Sequence, residues 1–441
     1  MKWKIFLLLC PWKLSVLISC LLQIEHPTNA ERSTLRLVQI LFRHGDRSAT
    51  HRYPLDPIKE TDWPQGYGQL TKLGMAQEYK LGQSMRNLYV GKLNFLSPNY
   101  NRSKVFMRST DMDRTLMSAY CVLAGLYPAE NMSLEWNNTW QPIPVHTVPL
   151  TEDYLLSSHA ICPLLGTLHQ EFISNNQQIK DLFRENQWLI HHVAKNAGLP
   201  PTLNNLFDVQ DPLFCENTHN MINTTSGWLA ANGTFQHIMA LRDIPVGLTF
   251  PTPKIARLRS GVLLTEIVSN MKAKLNNKLE KEMLLYSAHD DTVAGLLSAL
   301  KYFRYPEFPA VQPQYSTSVA IELHEDSPSN FVVQVYLRNE TNSSNLHQYP
   351  ISIQGCTASC PFPKFTKLLS DMMVTDIKKE CMVKTTSNGS AGKGSANLYV
   401  GVAILGALSG LFLVILAGAC WIHCKQKNTT AYRPIPLMDE S

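Results

Sequence analysis

The sequence contains no uninterrupted run of lysine and arginine, and its formal net charge is only +5 over 441 residues. A surface that binds nucleic acid by charge is therefore not expected. There is no H-E-x-x-H motif and no carboxylate cluster, and Cys356 and Cys360 are not completed by a second cysteine pair or a nearby histidine pair. No metal site is expected on those grounds. His191 and His192 are adjacent, so they project from different faces of a helix and make poor paired ligands. A G-x-x-x-x-G-K-S/T loop is also absent, which removes the usual nucleoside triphosphate cradle. The chain is read as using no cofactor.

Apolar sequence, in contrast, is plentiful at 44% of residues, enough for one large domain with an insertion or for two domains. Met1 to about Ala30 reads as a secretory signal, with Lys2 and Lys4 ahead of the apolar stretches Ile5 to Cys10 and Leu14 to Leu22. Pro11-Trp12-Lys13 interrupts it, and an N-terminal anchor is the alternative. Leu398 to Ile422 runs for 25 residues without a charge, where about 20 apolar residues suffice to span a bilayer. Lys425 and Lys427 follow at once and mark the cytoplasmic side. A luminal or extracellular body, one span and a short tail are therefore expected, a single-pass type I membrane protein. Gly406 and Gly410 form a small-xxx-small pair suited to a homodimer of spans.

Six of the ten cysteines fall in the expected luminal body: Cys121, Cys162, Cys215, Cys356, Cys360 and Cys381. An oxidising lumen makes disulfides the default there. Cys121 lies in an apolar helical stretch and reads as a buried thiol. N-x-S/T sequons at Asn101, Asn131, Asn137, Asn223, Asn232, Asn339, Asn342 and Asn388 suit a secreted surface.

Leu35 to Phe42 is a mostly apolar run that stops abruptly at Arg43-His44-Gly45-Asp46-Arg47. Such a run is expected of a strand buried on both faces of a parallel sheet. The carboxyl end of such a strand is where α/β proteins hold ligands. Guanidinium donors match an oxyanion, and neutral imidazole is a nucleophile. The cluster reads as an oxyanion site with His44 as the nucleophile inside it.

Two further strand-to-loop units deliver polar residues. Val105 to Met107 is expected as a short strand ending at Arg108, with Ser109 or Asp111 capping a helix from Met112 to Leu126. Met283 to Ser287 runs into Ala288-His289-Asp290, followed by a helix from about Thr292 to Leu300. Between Gln65 and Tyr89, Leu70, Leu73, Gln77, Leu81 and Met85 recur at helical spacing. Strands alternating with helices imply a largely parallel sheet. From Glu152 to Pro251 the pattern turns helical: Leu164, Leu168 and Phe172 fit one helix, and Ile179, Leu182, Phe183, Ile190 and Val193 a second that ends at Gly198. Gln314 to Leu323 and Asn330 to Arg338 read as later strands, the second near the sheet edge.

These motifs together resemble the histidine acid phosphatase family, in particular its prostatic and lysosomal group. The resemblance is carried by Leu41 to Ser48, Asp56 to Glu60, Trp63 to Thr71, Arg108 to Ala119, Trp140 to His146 and Tyr286 to Asp290, and it covers about Leu35 to Cys381. It implies an α/β fold: a mostly parallel or mixed sheet flanked by helices, with a helical cap domain. To this the sequence adds one C-terminal transmembrane helix. The expected divisions are a signal peptide at 1–30, a catalytic core at 31–151 and 252–382, and a cap insertion at 152–251. A stalk at 383–397, a span at 398–422 and a cytoplasmic tail at 423–441 follow.

The resemblance implies an acid phosphatase that hydrolyses phosphate monoesters through phosphohistidine. The alternatives are a catalytically weak, receptor-like binder of phosphate esters, or a mutase of the same superfamily. His44 would take the phosphoryl group. Arg43, Arg47 and Arg108 would clamp its oxygens, His289 would bind it, and Asp290 would protonate the leaving group. The resemblance also implies disulfides Cys162–Cys381 and Cys356–Cys360. A third family disulfide would join Cys215 to a position near Ser318, where no cysteine stands, so Cys215 is either free or paired with Cys121. His146 either lines the pocket or packs. The family usually continues His-Asp with Thr; Asp291 stands there, either as a helix cap or facing the site. In the tail, Tyr432-Arg433-Pro434-Ile435 resembles a tyrosine-based signal for a clathrin adaptor. Tyr432 and Ile435 would then direct the protein to endosomes and lysosomes, with the plasma membrane as the alternative.

Overall fold

The computed structural model describes residues 34–129, 140–157, 159–302, 312–339 and 348–382. All of them fall in the first of two units, Met1–Val383. The expected signal peptide, stalk, span with Gly406 and Gly410, and tail with Tyr432 and Ile435 lie outside the described residues. Among the described residues, no helix is long and apolar enough to cross a membrane.

Strand β1 (Leu35–Arg43) is buried along its length except at Arg36, which reaches out to pair with Glu325 at 2.6 Å. Its side chains alternate between two apolar layers, as pleating requires. Leu37 and Leu41 enter one layer, and Val38, Ile40 and Phe42 the other. Thr71 caps helix α1 (Lys72–Met85) by accepting from the Gly74 amide. The buried stripe of α1 runs through Gly74, Gln77, Leu81 and Met85. Leu73, expected in that stripe, is 42% exposed, because the helix starts at Lys72 and Gly74 takes the inward position. The helix then loosens into a π-helical stretch, Arg86–Lys92.

Strand β2 (Val105–Ser109) runs two residues past the expected end, so Arg108 is still a sheet residue. Helix α2 (Asp113–Leu126) follows, with Met112 rather than Ser109 or Asp111 at its cap position. The helical segment expected at 152–251 comprises α3 (Pro163–Asn175), α4 (Gln177–Glu185), α5 (Gln187–Ala197), α6 (Leu203–Thr218), α7 (Gly227–Ala230), α8 (Thr234–Ala240) and α9 (Ile244–Thr249). The single helix expected from Ile179 to Gly198 is two, because Asn186 leaves helical geometry between α4 and α5. Gly198 closes α5 in the left-handed conformation, φ 74°. Leu189, Ile190, Val193, Leu206, Val209, Leu213 and Ile238 give this segment an apolar cluster of its own.

Helix α10 (Pro253–Leu275) leads to strand β3 (Met283–Ala288), helix α11 (Asp290–Ala299), and strands β4 (Ser318–Ser327) and β5 (Asn330–Arg338). The short strands β6 (Tyr349–Pro350) and β7 (Cys360–Pro361) both pair with β5. The sheet order is β2-β3-β1-β4-β5-β6. Only β2, β3 and β1 are parallel; β4 and the later strands are antiparallel. The sheet is thus mixed, and β5 is one strand in from the edge. α10 and α11 cover one face, through Leu263, Leu264, Ile267, Val293 and Leu297. α1 and α2 cover the other, through Leu81, Met85, Val122 and Leu123. The disulfides Cys162–Cys381 and Cys356–Cys360 are both present. Cys121 and Cys215 are free and are not joined to each other; Cys121 is half-buried, whereas Cys215 is fully buried.

Candidate active site

The three parallel strands end at one edge of the sheet. Arg43 pairs with Ala288 and Ser109 with Ser287, so the loops after β1, β2 and β3 leave together. Antiparallel β4 enters at the same edge, where Ser318 pairs with Phe42, and this brings Tyr315 beside the loops. The gathering of polar residues thus follows from strand register.

The loop after β1 is held tightly. Asp46 is fully buried, and its carboxylate accepts from Thr71 at 2.5 Å and from His219 Nε2 at 2.7 Å. The amide of Asp46 donates to Gln77, and that of Gly45 to Ser118. Gly45 lies directly against the backbone of Gly74, and a Cβ on it would overlap the Gly74 carbonyl. Glycine at this point is a packing requirement.

His44 is 2% exposed. Its Nδ1 donates to the Gly45 carbonyl at 2.8 Å, which leaves Nε2 as the unprotonated nitrogen. Burial pushes its pKa well below the ordinary histidine value, and Arg43, Arg114, His289 and Arg47 push the same way. All of these effects favour the neutral ring over the cation. The His289 ring lies 5.5 Å away, centroid to centroid, and the Tyr315 ring 5.9 Å away.

Of the residues expected from sequence, Arg43, His44, Arg47, His289 and Asp290 do converge. Arg43 Nη2 is 2.8 Å from Asp290 Oδ2, and its Nη1 donates to the Pro313 carbonyl. Arg47 forms a two-pronged pair with Asp211 of α6, at 2.7 and 3.1 Å. Burial alone would raise the Asp211 carboxyl, but Arg47 holds it far below the usual carboxylate range. Asp290 is also ionised: burial opposes this, but Arg43 and Arg47 bring its pKa down to about 2. His289 Nε2 contacts Thr110 Oγ1 at 3.0 Å, and burial lowers its pKa to about 4.

Arg108 does not join them. Its guanidinium pairs with the buried carboxylate of Asp153 at 2.5 Å, its charge acts on Tyr286, and it is not among the main charges acting on His44. The reason is strand length: Arg108 still lies in β2, and the chain reaches the site only after Ser109. Arg114, in the first turn of α2, stands there instead. Its Nη2 approaches His289 Nδ1 at 3.4 Å, and among the described residues no carboxylate pairs with it. Burial lowers its pKa to about 10, which leaves it charged. Arg114 lies in the same Arg-Ser-Thr-Asp-Met-Asp-Arg motif as Arg108, six residues on. Helix phase, unlike the motif itself, distinguishes the two.

Two further open points are resolved. His146 is exposed and stacks on Phe106 at 5.0 Å, so it packs. Helix α11 begins at Asp290 with His289 as its cap residue, so Asp291 sits inside the first turn and does not cap the helix. Its charge raises the pKa of His289, against the effect of burial, and also favours the Arg259 cation. Among the described residues, no group of His, Cys, Asp and Glu is arranged to hold a metal.

This edge of the sheet lies within the segment, residues 34–338, that matches the family model of the histidine phosphatase superfamily, branch 2. The chain belongs to that family. It is 38% identical over 409 residues to lysosomal acid phosphatase of Pongo abelii, which covers 91% of both chains. It is 40% identical over 358 residues to prostatic acid phosphatase of Bos taurus, covering 79% of this chain and 88% of that one. Among solved structures it is similar to a phytase from Citrobacter braakii, with TM-score 0.59 and 17% identity, over 80% of this chain and all of the other. That likeness is one of fold. As a branch 2 histidine phosphatase, the chain carries the family's Arg-His-Gly loop at Arg43 to Gly45.

Proposed function

We propose that this histidine phosphatase is an acid phosphatase in which His44 carries the phosphoryl group between substrate and water. The observation that carries the reading is the His44 ring. Burial and the neighbouring arginines favour its neutral form, its Nδ1 proton is committed to Gly45, and its Nε2 has no hydrogen-bond partner among the described residues. Arg43, Arg47 and Arg114 surround it, and fixed charge of this kind supplies most of the catalysis in phosphoryl transfer. Arg43 and Arg47 are neutralised at rest by Asp290 and Asp211, whereas Arg114 has no such counter-ion among the described residues. Arg114 takes the clamping role that the sequence suggested for Arg108.

The proton inventory explains an acidic optimum. Asp290 is ionised in the free protein, so it has no proton for a leaving group. A phosphate monoester below its second pKa of about 6 brings one. That proton passes to Asp290, whose affinity for it rises beside the bound anion. His44 Nε2 then attacks phosphorus, the bond to the ester oxygen breaks, and the departing oxygen takes the proton from Asp290. In the second half, Asp290 removes a proton from water. The resulting hydroxide attacks phosphorus, the phosphorus–nitrogen bond breaks, and inorganic phosphate leaves. His289 gains a proton as the anion binds and donates to it.

The two disulfides support an oxidising compartment for this body. The uncharged stretch 398–422 supports a membrane anchor, and Tyr432 and Ile435 support sorting to lysosomes through a clathrin adaptor. The lysosomal acid phosphatases similar to this chain over 91% of its length favour that address. Full-length protein should release p-nitrophenol from p-nitrophenyl phosphate at pH 5, and His44→Ala should not. Equal activity in the two proteins contradicts the reading.

A further inference from the structure

Beyond the phosphoryl site, a cavity of about 140 Å³ is lined by Arg43, Asp211, Phe214, Arg242, Gln312 and Tyr315 among others. Arg242 follows α8. Its guanidinium carbon sits 3.5 Å from the centroid of the Phe214 ring. Phe214 packs at a tilt against Tyr315, with centroids 6.1 Å apart, and Tyr315 is the ring that touches both His44 and Arg43. A continuous stack therefore connects the nucleophile to Arg242.

Arg242 is mostly buried, yet its guanidinium forms no ion pair and no hydrogen bond among the described residues. Neighbouring carboxylates are already engaged. Asp211 accepts from Arg47 and Thr50, Asp290 pairs with Arg43, and Asp243 accepts from the amide of Gln312. The Asp243 contact fixes the turn that carries Arg242. Burial, and next the charge of Arg43, act against the Arg242 cation. A cation partly withdrawn from water without a counter-ion is disfavoured, and a bound anion offsets that cost. Arg242 is not among the main charges acting on His44, which separates it from the phosphoryl clamp.

We propose that Arg242 is a second anion subsite, selecting phosphate monoesters whose alcohol portion carries another negative group, carboxylate or phosphate. The proposal rests on the phosphatase reading above. Phe214 and Tyr315 supply an aromatic wall for the part of the substrate between the two anions, and arginine stacked on a ring keeps its edge donors free for the second one.

The test compares kcat/KM for phenyl phosphate with that for 3-carboxyphenyl and 4-carboxyphenyl phosphate, in wild type, Arg242→Ala and Arg242→Lys. The expected result is a preference of wild type for at least one carboxylated ester over phenyl phosphate. That ratio should fall about tenfold in Arg242→Ala and be partly restored in Arg242→Lys. A purely structural role for Arg242 would lower all three esters together and leave the ratio as it was; that outcome overturns the subsite. If wild type turns over none of the three, the phosphatase reading fails, and the subsite fails with it.

Discussion

Arg108 and Arg114 lie six residues apart in one motif, and the proposed mechanism gives them opposite duties. Arg114→Ala removes a guanidinium that contacts His289 and the Gly68 carbonyl but forms no ion pair with a carboxylate among the described residues, so no buried carboxylate is stranded. Hydrogen bonds to a charged group contribute about 1.5–3 kcal/mol each. Two such bonds to a phosphoryl group correspond to a loss of roughly a hundredfold to ten-thousandfold in kcat/KM at ~1.4 kcal/mol per decade. Stability should change little. Arg108→Ala instead strands Asp153, whose side chain is completely inaccessible. Breaking a buried pair in this way costs roughly 3–5 kcal/mol, toward the lower figure here because Arg108 is itself partly exposed. Burial already raises the Asp153 pKa, and Arg108 opposes it. Without Arg108 the carboxyl takes up a proton more readily, so the loss of stability should be small at pH 5 and grow toward pH 8. Urea denaturation at both pH values, with kcat/KM for p-nitrophenyl phosphate measured on folded protein, separates the two. If Arg108→Ala loses more activity than Arg114→Ala while keeping its stability, the placement of these two residues is wrong.

Asp290→Asn should slow esters of poor leaving groups by about a hundredfold or more and p-nitrophenyl phosphate far less, because a good leaving group does not need the proton. Equal losses remove Asp290 from the acid role. Glu78 is fully buried against Ser316, and burial raises its pKa to about 8. A carboxyl whose folded pKa lies above its unfolded value stabilises fully below about pH 4.5 and loses that contribution as pH rises to about 8. The protein should therefore be markedly more stable in acid, by up to about 5 kcal/mol from this group. Glu78→Gln should flatten that dependence, and an unchanged pH profile of stability in the mutant refutes the assignment.

The sheet and the loop at its edge were legible because the signals are local. An apolar run interrupted by Arg43 to Arg47 needs no partner to be recognised, and β3 with His289 and Asp290 follows the same pattern. Strand direction was only partly legible: β4 and β5 carry the same apolar pattern as parallel strands, and direction is set by connections. The exchange of Arg108 for Arg114 turned on two residues of strand length. Asp211, Arg242 and Tyr315 had no sequence signal: the first two reach the site only when the helices of residues 152–251 pack against the loop after β1, and Tyr315 only when antiparallel β4 pairs with β1. Pro212 shows how that packing is arranged. It lacks the amide that would bond to the Asp208 carbonyl, and His51 Nε2 contacts that carbonyl at 3.1 Å instead.

The central claim is that the phosphoryl group rests on Nε2 of His44. Rapid quenching of the protein in an alkaline denaturant during turnover of a 32P-labelled ester, followed by mapping of the label, tests it most directly. The expected result is label on the peptide that contains His44, stable in alkali and lost in acid, and its absence from His44→Ala. Label on a serine, aspartate or cysteine, or turnover with no protein-bound label at any time, would contradict the account.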